Sequence, residues 1–396
     1  MSEMVRLIDI TGKAISGEWG NDDETGNGIP VLRTTNFTND GSINYSSVVT
    51  RNIKKKYFAD KYLQNGDIII EKSGGSDKQP VGRVVYFDGE KNKYLFNNFT
   101  GLLRVIDKSV CYPKYLFYCL FNNYRKGGTL SFQNKTTGLH NLKTDDFVRS
   151  FTFPLPPLPE QRHIAAVLDK VSELIALRKR QLDLLDEMVK ARFVEMFGTI
   201  NENPKHYPMA MLKDICHKIT DGKHGGCEQE SNSGYFYVGA REIFDNSIHY
   251  ETAPQITYTD FAKDYKRCNI EIGDFVIVNT GATIGKSAIA TSSLTERTLL
   301  QKSVALLKVN TEHILSEFLR YCYIVNPSMY MVESASAQPN LLLSKIKTTV
   351  VYTPPIKLQN QFADFVQQVE KSKATVQQAL EKLNLLKSAL MQEYFG

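Results

Sequence analysis

Two stretches of the sequence, 156–198 and 354–396, align without a gap at an offset of 198 residues, half the length of the chain. Each leads from a Pro-Pro pair through a glutamine, Gln161 or Gln359, into a long heptad-like pattern that ends in Phe-Gly. Twelve of the 43 paired positions are identical, among them Pro156/Pro354, Ala165/Ala363, Val171/Val369, Leu185/Leu383 and Gly198/Gly396. Such duplication confines the chain to a tandem of two similar units, each a globular domain followed by a long helix. Two copies of one module held at a fixed separation suit a partner that is itself pseudo-symmetric.

The helical stretches set the architecture. Leu168, Ile175, Leu182, Val189 and Met196 recur at intervals of seven, with Val171, Leu174, Leu185 and Met188 beside them. In the second stretch Val369, Val376, Leu383 and Leu390 do the same, joined by Phe362, Phe365, Val366, Leu380 and Leu386. Sustained sevens with charges between them predict a coiled-coil seam. Roughly 36 residues of helix at about 1.5 Å each gives about 55 Å. Matched length, position and terminus favour mutual antiparallel packing over two separate helices that each cap their own domain. The proline clusters stop the preceding strand and fix the angle at which each helix leaves.

The repeat continues into the domains. Leu7, Asp9 and Ile10 line up with Leu212, Asp214 and Ile215, and Gly17 with Gly222. Gly66-Asp67 matches Gly273-Asp274, each opening an apolar run, and Asn141-Leu142 answers Asn340-Leu341. Strand signals dominate at 68–71, 81–87, 102–106, 275–279 and 304–309, with helices expected at 112–122 and 313–324. The expected class is α+β: mixed-β domains at 1–155 and 199–353, separated by long helices at 156–198 and 354–396 that pair as an antiparallel coiled coil.

At 396 residues, with 42% hydrophobic and 23% charged residues, the chain suits two soluble folded domains. There is no apolar run of membrane-spanning length, and the acidic N-terminal stretch does not resemble a signal peptide. The six cysteines form no CxxC pair and read as reduced thiols in a cytoplasm. Net charge is +5, and the two helical stretches together contribute 12 basic and 11 acidic residues, so most of the excess lies in the domains. That placement suits phosphate contact by the domains.

No catalytic signature stands out. The segment from Gly281 to Ser287 (GATIGKS) approaches a phosphate-binding loop but has three residues between its glycines where that motif has four, and a β-like segment follows it. It reads as a tight turn with an exposed lysine, and the first-domain stretch through Gly82-Arg83 as a related basic turn. His206, His217 and His224 with Cys216 and Cys227 match no zinc spacing, so no metal site is assigned. Nor is there an Asn/Asp-Pro-Pro-aromatic methyltransferase motif; the Pro-Pro pairs follow Leu155 and Thr353.

Side chains with hydrogen-bonding reach toward base edges fall at matching places in both domains. In the first they are Arg33, Thr34, Asn36, Lys54, Lys55, Lys72, Ser73, Gln133, Lys135 and His140. In the second they are Arg241, Asn279, Thr280, Lys286, Gln338 and Asn340, with a further basic run at 263–267. These are the candidate DNA contacts.

The segment PPLPEQR at 156–162, its partner PPIKLQNQ at 354–361, the Gly-Asp strand starts and the TGATIGK turn together resemble the specificity subunit of Type I restriction-modification systems. The resemblance covers the whole chain; Lys357-Leu358 departs from the Pro159-Glu160 of the first copy. It implies two target recognition domains, each reading one part of a split sequence in the major groove of double-stranded DNA, with the helices setting the unread gap. It implies a non-catalytic chain without a cofactor of its own. Two modification (methyltransferase) subunits carrying S-adenosylmethionine would dock on it, and restriction subunits using ATP and Mg for translocation and cleavage would join them. Two other readings are kept: the recognition subunit of another bipartite methyltransferase-nuclease, and a coiled-coil scaffold without DNA specificity.

Overall fold

A computed structural model describes residues 3–53, 59–136, 139–331 and 340–396. The chain divides into two compact units, Met1–Leu177 with Ala379–Gly396, and Arg178–Gln378. Each is built on the same plan.

In the first unit an antiparallel sheet runs in the order Ile15–Ser16, Thr100–Leu103, Ile68–Glu71, Val84–Tyr86. In the second the order is Cys216–Asp221, Val304–Val309, Phe275–Val278, Ser287–Ile289. The registers agree: Gly101 lies opposite both Ser16 and Ile70, and Ala305 opposite both Asp221 and Ile277. The continuous apolar runs at the sheet centres follow from having a core on each face. Ile68 and Ile70 enter one cluster while Ile69 enters another with Leu32, Phe87 and Phe96. Phe275 and Ile277 separate from Val276 and Val278 in the same way. Each such side chain is fully buried, worth about 1.5–3 kcal/mol apiece.

The Gly-Asp pairs make the turn into each central strand. Gly66 and Gly273 have φ of 99° and 95°, a left-handed conformation that favours glycine. The following carboxylate accepts from a backbone N–H three residues back, Gln64 at 2.7 Å and Glu271 at 2.8 Å. A cation from the neighbouring strand closes it: Arg104 Nη2 lies 2.7 Å from Asp67, and Lys308 Nζ 2.7 Å from Asp274. Gly17 and Gly222 are matched for a different reason. A Cβ there would lie 2.2 Å from the carbonyl oxygens of Asn97 and Leu300 respectively, so backbone passes backbone with no room for a side chain.

A two-stranded ribbon (Glu3–Arg6 with Thr152–Leu155; Met209–Met211 with Val350–Tyr352) closes the domain part of each unit. A parallel pair (Ile29–Leu32 with Leu95–Phe96; Phe236–Val238 with Thr298–Leu300) flanks the second core. In the first unit this pair is widened by Asn21–Asp22 and Val49–Asn52 into four strands. Of the domain helices, Pro113–Arg125 and Ser316–Val325 lie close to the expected spans. The strand expected at 81–87 is confined to Val84–Tyr86, because Gly82 takes a φ of 108° against Thr129.

The long helices span Leu158–Phe197 and Ile356–Phe395, 40 residues each and somewhat longer than the 36 anticipated. Their start is clamped identically. Gln161, with no exposed surface, accepts from Tyr112 N–H (2.7 Å) and donates to Val110 O (3.0 Å) and Pro156 O (2.8 Å). Gln359, equally buried, accepts from Leu315 N–H (2.9 Å) and donates to His313 O (3.0 Å) and Pro354 O (2.8 Å).

Within each unit the start of one long helix packs against the end of the other, as antiparallel pairing requires. In the first unit Ile164, Ala165 and Leu168 share a core with Met391, and Tyr115 meets Phe395 at 5.6 Å between ring centroids. In the second, Val189, Phe193 and Phe197 pack with Phe362, Val366 and Val369, Phe193 and Phe362 edge-on at 5.3 Å. Lys373 Nζ reaches Asp186 at 2.8 Å. Of the seam, Leu168, Ile175, Val189, Val369 and Val376 are buried, while Leu182, Leu383 and Leu390 are partly buried. Met188 and Leu386, expected beside the seam, are instead exposed. Met188 is one residue from Val189 and so about 100° round the helix from it.

The glutamine clamps generate a prediction. Gln161→Ala or Gln359→Ala leaves one N–H and two carbonyls without their partner. Each orphaned group costs roughly 1–3 kcal/mol when water cannot replace the bond. Urea unfolding of the single variants should show that loss, and a change below about 0.5 kcal/mol would contradict a buried clamp.

Candidate nucleic-acid interface

At the open end of each sheet the chain turns back, and the same hydrogen bonds fix the turn in both units. Leu142 N–H donates to Lys72 O at 2.8 Å, and Leu341 N–H to Asn279 O at 2.7 Å. Lys72 N–H is held by Phe99 O (2.8 Å), and Asn279 N–H by Ser303 O (3.0 Å). A hydroxyl–asparagine pair sits beside this turn: Ser73 Oγ to Asn141 Oδ1 at 2.5 Å, and Thr280 Oγ1 to Asn340 Oδ1 at 3.3 Å. The positions that the repeat matches between domains thus lie beside equivalent turns.

Each turn borders an open polar cleft. In the first unit it has a volume of about 360 Å³, lined by Ser16, Lys72, Lys143, Thr144, Asp145 and Asp146 among others. Lys72 Nζ donates to Ser16 Oγ at 3.1 Å, and partial burial pulls its ammonium below the ordinary lysine value. The cleft of the second unit, about 230 Å³, is lined by Asp221, His224, Asn279, Thr280, Lys302 and Asn340. Asn279 is 4% exposed, and its buried Oδ1 has no hydrogen-bond partner. Asp221 binds His224 Nε2 (3.2 Å) and Arg267. Equivalent framework positions thus carry Lys72 against Asn279 and Ser16 against Asp221, so the clefts share geometry and differ in chemistry.

Beside the second cleft lies another, lined by Arg241, Gln301 and Ser303 with three neighbours. Ser303 joins the two: its carbonyl holds Asn279, and its Oγ accepts from Ala240 N–H at 3.2 Å. Arg241 and Lys302 are exposed here. The 301–303 turn and His224 were not among the sequence candidates. The signal was present in Leu102-Leu103 against Leu306-Leu307, which sets 97–99 against 301–303.

Other candidates are placed differently. Asn36 is fully buried; its Oδ1 accepts from Arg33 N–H (2.9 Å) and its Nδ2 donates to Asn44 O (3.0 Å). It shapes a tight turn, as Glu242 does for Gly239 N–H (2.8 Å) in the second unit. Arg33 reaches Ser47 O at 3.3 Å, and the Thr34 carbonyl accepts from Arg83 at 3.2 Å. Arg83 is bound by Glu71 at 2.9 Å as well, so the base of the turn at Gly82-Arg83 serves the fold. His140 is 9% exposed and held by Gln133 Oε1 (3.2 Å) near Asp77. Lys286 is exposed on the hairpin between Phe275–Val278 and Ser287–Ile289. A strand follows that hairpin where a nucleotide loop needs a helix. Lys54, Lys55, Gln338 and the side chain of Lys135 lie outside the described residues.

Among the described residues no group of three or more His, Cys, Asp or Glu is placed to hold a metal ion. Burial pushes the Cys111 and Cys216 thiols up to about 12 and those of Cys119 and Cys322 well above the usual value, which leaves them unreactive. Around the clefts stand amides, hydroxyls and lysines, the inventory that contacts base edges and phosphates, together with the carboxylates of Asp145, Asp146 and Asp221. Structural and contacting roles separate by stability. Asn36→Ala should lose roughly 1–3 kcal/mol in denaturant unfolding, whereas Asn340→Ala, at an exposed pair, should stay within about 0.5 kcal/mol of the parent.

Comparison with known proteins places this geometry. The chain is 21% identical over 388 residues to the putative type I restriction enzyme MjaX specificity subunit of Methanocaldococcus jannaschii, covering 91% of this chain and 86% of that one. It is 22% identical over 402 residues to the EcoKI specificity subunit of Escherichia coli K12, covering 93% and 82%. The fold is similar to the type I S subunit of M. genitalium, with TM-score 0.57 at 15% identity over 100% of this chain and 96% of that one. A chain from a structure of type I R-M complex assembly and conformational transition gives 0.55 at 16% identity, covering 99% and 97%. The family model for the Type I restriction modification DNA specificity domain matches twice, at residues 2–187 and 204–385. With that duplicated match on a duplicated fold, the chain belongs to the Type I restriction-modification DNA specificity family.

Proposed function

We propose that this chain reads an asymmetric, two-part sequence in double-stranded DNA, one part per domain, and carries the modification and restriction subunits of a Type I complex. The observation that carries the reading is the repeated cleft, one backbone framework lined by different side chains in the two units. A shared framework supports two similar modes of docking on DNA, and the Lys72/Asn279 and Ser16/Asp221 differences support unequal half-sites. Each good bidentate base contact contributes about 1–3 kcal/mol of discrimination. One small domain reaches few base pairs, so joining two readers multiplies selectivity.

In this reading the chain is non-catalytic. Adenine methylation, with S-adenosylmethionine, belongs to two modification subunits, and ATP- and Mg-dependent translocation and cleavage to restriction subunits. The duplicated scaffold suits two identical modification subunits on a single copy of this chain. The complex acts in the cytoplasm. In keeping with that, no helix among the described residues is long and apolar enough to cross a membrane. The long helices fix the unread gap between the two half-sites.

Mixing the chain with its modification subunit and measuring binding to a random duplex library tests the proposal. A bipartite motif should emerge, and equal affinity for every duplex would overturn the reading in favour of a non-specific scaffold. The spacer role has its own test. Four residues inserted after Val171 add about 6 Å of helix, so the gap in the methylated motif should widen by up to about two pairs at 3.4 Å each. An unchanged gap would rule out a ruler.

A further inference from the structure

We propose that Phe99 is a specificity-determining residue of the first domain, reading the 5-methyl group of one thymine in its half-site. The inference rests on the DNA-reading role proposed above and names a contact within it.

Phe99 is 51% exposed, yet its backbone is tightly held. Its carbonyl accepts from Lys72 N–H (2.8 Å) and Ser73 N–H (3.2 Å), the two residues that begin the cleft-side turn. The turn before it is closed by Thr100, whose N–H and Oγ1 both donate to Asn97 O at 3.1 and 2.8 Å. Thr100 is fully buried and Asn97 is 4% exposed. A large apolar ring is thus presented to solvent from a rigid support, beside the ammonium-bearing residue of the cleft.

The second unit shows what a solvent-facing residue at this place looks like when no apolar partner is needed. Its counterpart is Ser303, whose carbonyl holds Asn279 as that of Phe99 holds Lys72. The serine hydroxyl is used within the fold, accepting from Ala240 N–H at 3.2 Å. Isolated exposed hydrophobes are common and need no special account. A half-exposed phenyl ring on the residue that holds the turn beside a polar cleft, at a point where the repeat carries serine, calls for an apolar feature on the ligand. The major-groove edge of DNA offers one such feature, the thymine methyl. The contact forms no covalent bond; it removes a methyl and a phenyl face from water together.

The test uses the full chain in complex with its modification subunit and the duplex motif found by methylation mapping. Each thymine of the motif is replaced singly by deoxyuridine, which deletes only the methyl group, and equilibrium binding is measured. With the parent chain, one replacement in one half-site should weaken binding about fourfold, the worth of one buried methyl. In Phe99→Ser that replacement should cost less than about 1.5-fold, while Phe99→Leu, still apolar, should keep most of the sensitivity. Both variants should match the parent in thermal unfolding, since the ring is half exposed. Three results overturn the proposal: no thymine whose methyl matters; a half-site without thymine; or Phe99→Ser retaining the full fourfold effect, as it would if the ring were a wedge between base steps whose loss weakened thymine and uracil duplexes equally. A parent complex that selects no motif at all would instead remove the DNA-reading role itself.

Discussion

A buried glutamine at the foot of each long helix is the interaction on which the rest of this structure depends. A helix start leaves N–H groups unpaired, and here the backbone meets part of that need itself, Pro157 O accepting from Glu160 and Gln161 N–H and Pro355 O from Leu358 and Gln359 N–H. The side chains of Gln161 and Gln359 are thus left to bind the domain: each carboxamide accepts one N–H and donates to two carbonyls. Those partners flank the N-terminus of the domain helix, so one side chain ties the long helix, the prolyl segment and the domain helix together. The bond lengths in the two copies agree to within 0.2 Å, and the two carboxamides are equally buried. A long rod is useful to its domain only if the angle between them is fixed, and this amide fixes it.

Around that joint the two units keep what is needed to fold and vary what is not. The Gly-Asp turn, the backbone crossing at Gly17 and Gly222, the sheet order and the register are duplicated. The ion pair at the turn keeps its charge and changes its cation, Arg104 in one copy and Lys308 in the other. The exchange is not like for like: Arg104 grips Asp67 through both Nε and Nη2, at 2.8 and 2.7 Å, whereas Lys308 divides its ammonium between Asp274 at 2.7 Å and Glu271 at 2.8 Å. At the clefts the reverse holds. Backbone bonds are conserved between copies while Lys72 faces Asn279 and Phe99 faces Ser303 in the alignment. Rigid support with variable tips is the physical form of two readers with different targets.

The architecture was legible because it is written in periodicity and repetition. Sevens in the helical stretches gave the seam, and the 198-residue offset gave two units and antiparallel pairing. The central strands were legible as apolar runs, since both faces of each are covered. Among the candidates, Ser73, Thr280 and Asn340 were singled out because they recur, and each hydroxyl bonds an asparagine. Asn36 and His140 misled for a simple reason. A polar residue looks the same in sequence whether its amide or ring is held within the fold or turned to a ligand, and only burial separates the two. Arg83 was obscured likewise, because its partner Glu71 ends a strand that reads as wholly apolar up to that point. Lys302 and Phe99 were not singled out in the sequence, since they sit on short turns whose alignment is fixed by hydrogen bonds and not by composition.

The first unit takes one wall from the last part of the chain: Met391 enters its core, and Leu390, Tyr394 and Phe395 pack against it. During vectorial synthesis at about 5–20 residues per second, the earliest-made domain must wait for the final stretch to emerge before that apolar face is covered. The second unit has no such delay, since its share of both rods is made before the last segment appears. The nascent protein therefore completes its modules in the opposite order to their translation, and its window of exposure to chaperones and premature partners belongs to the amino-terminal half.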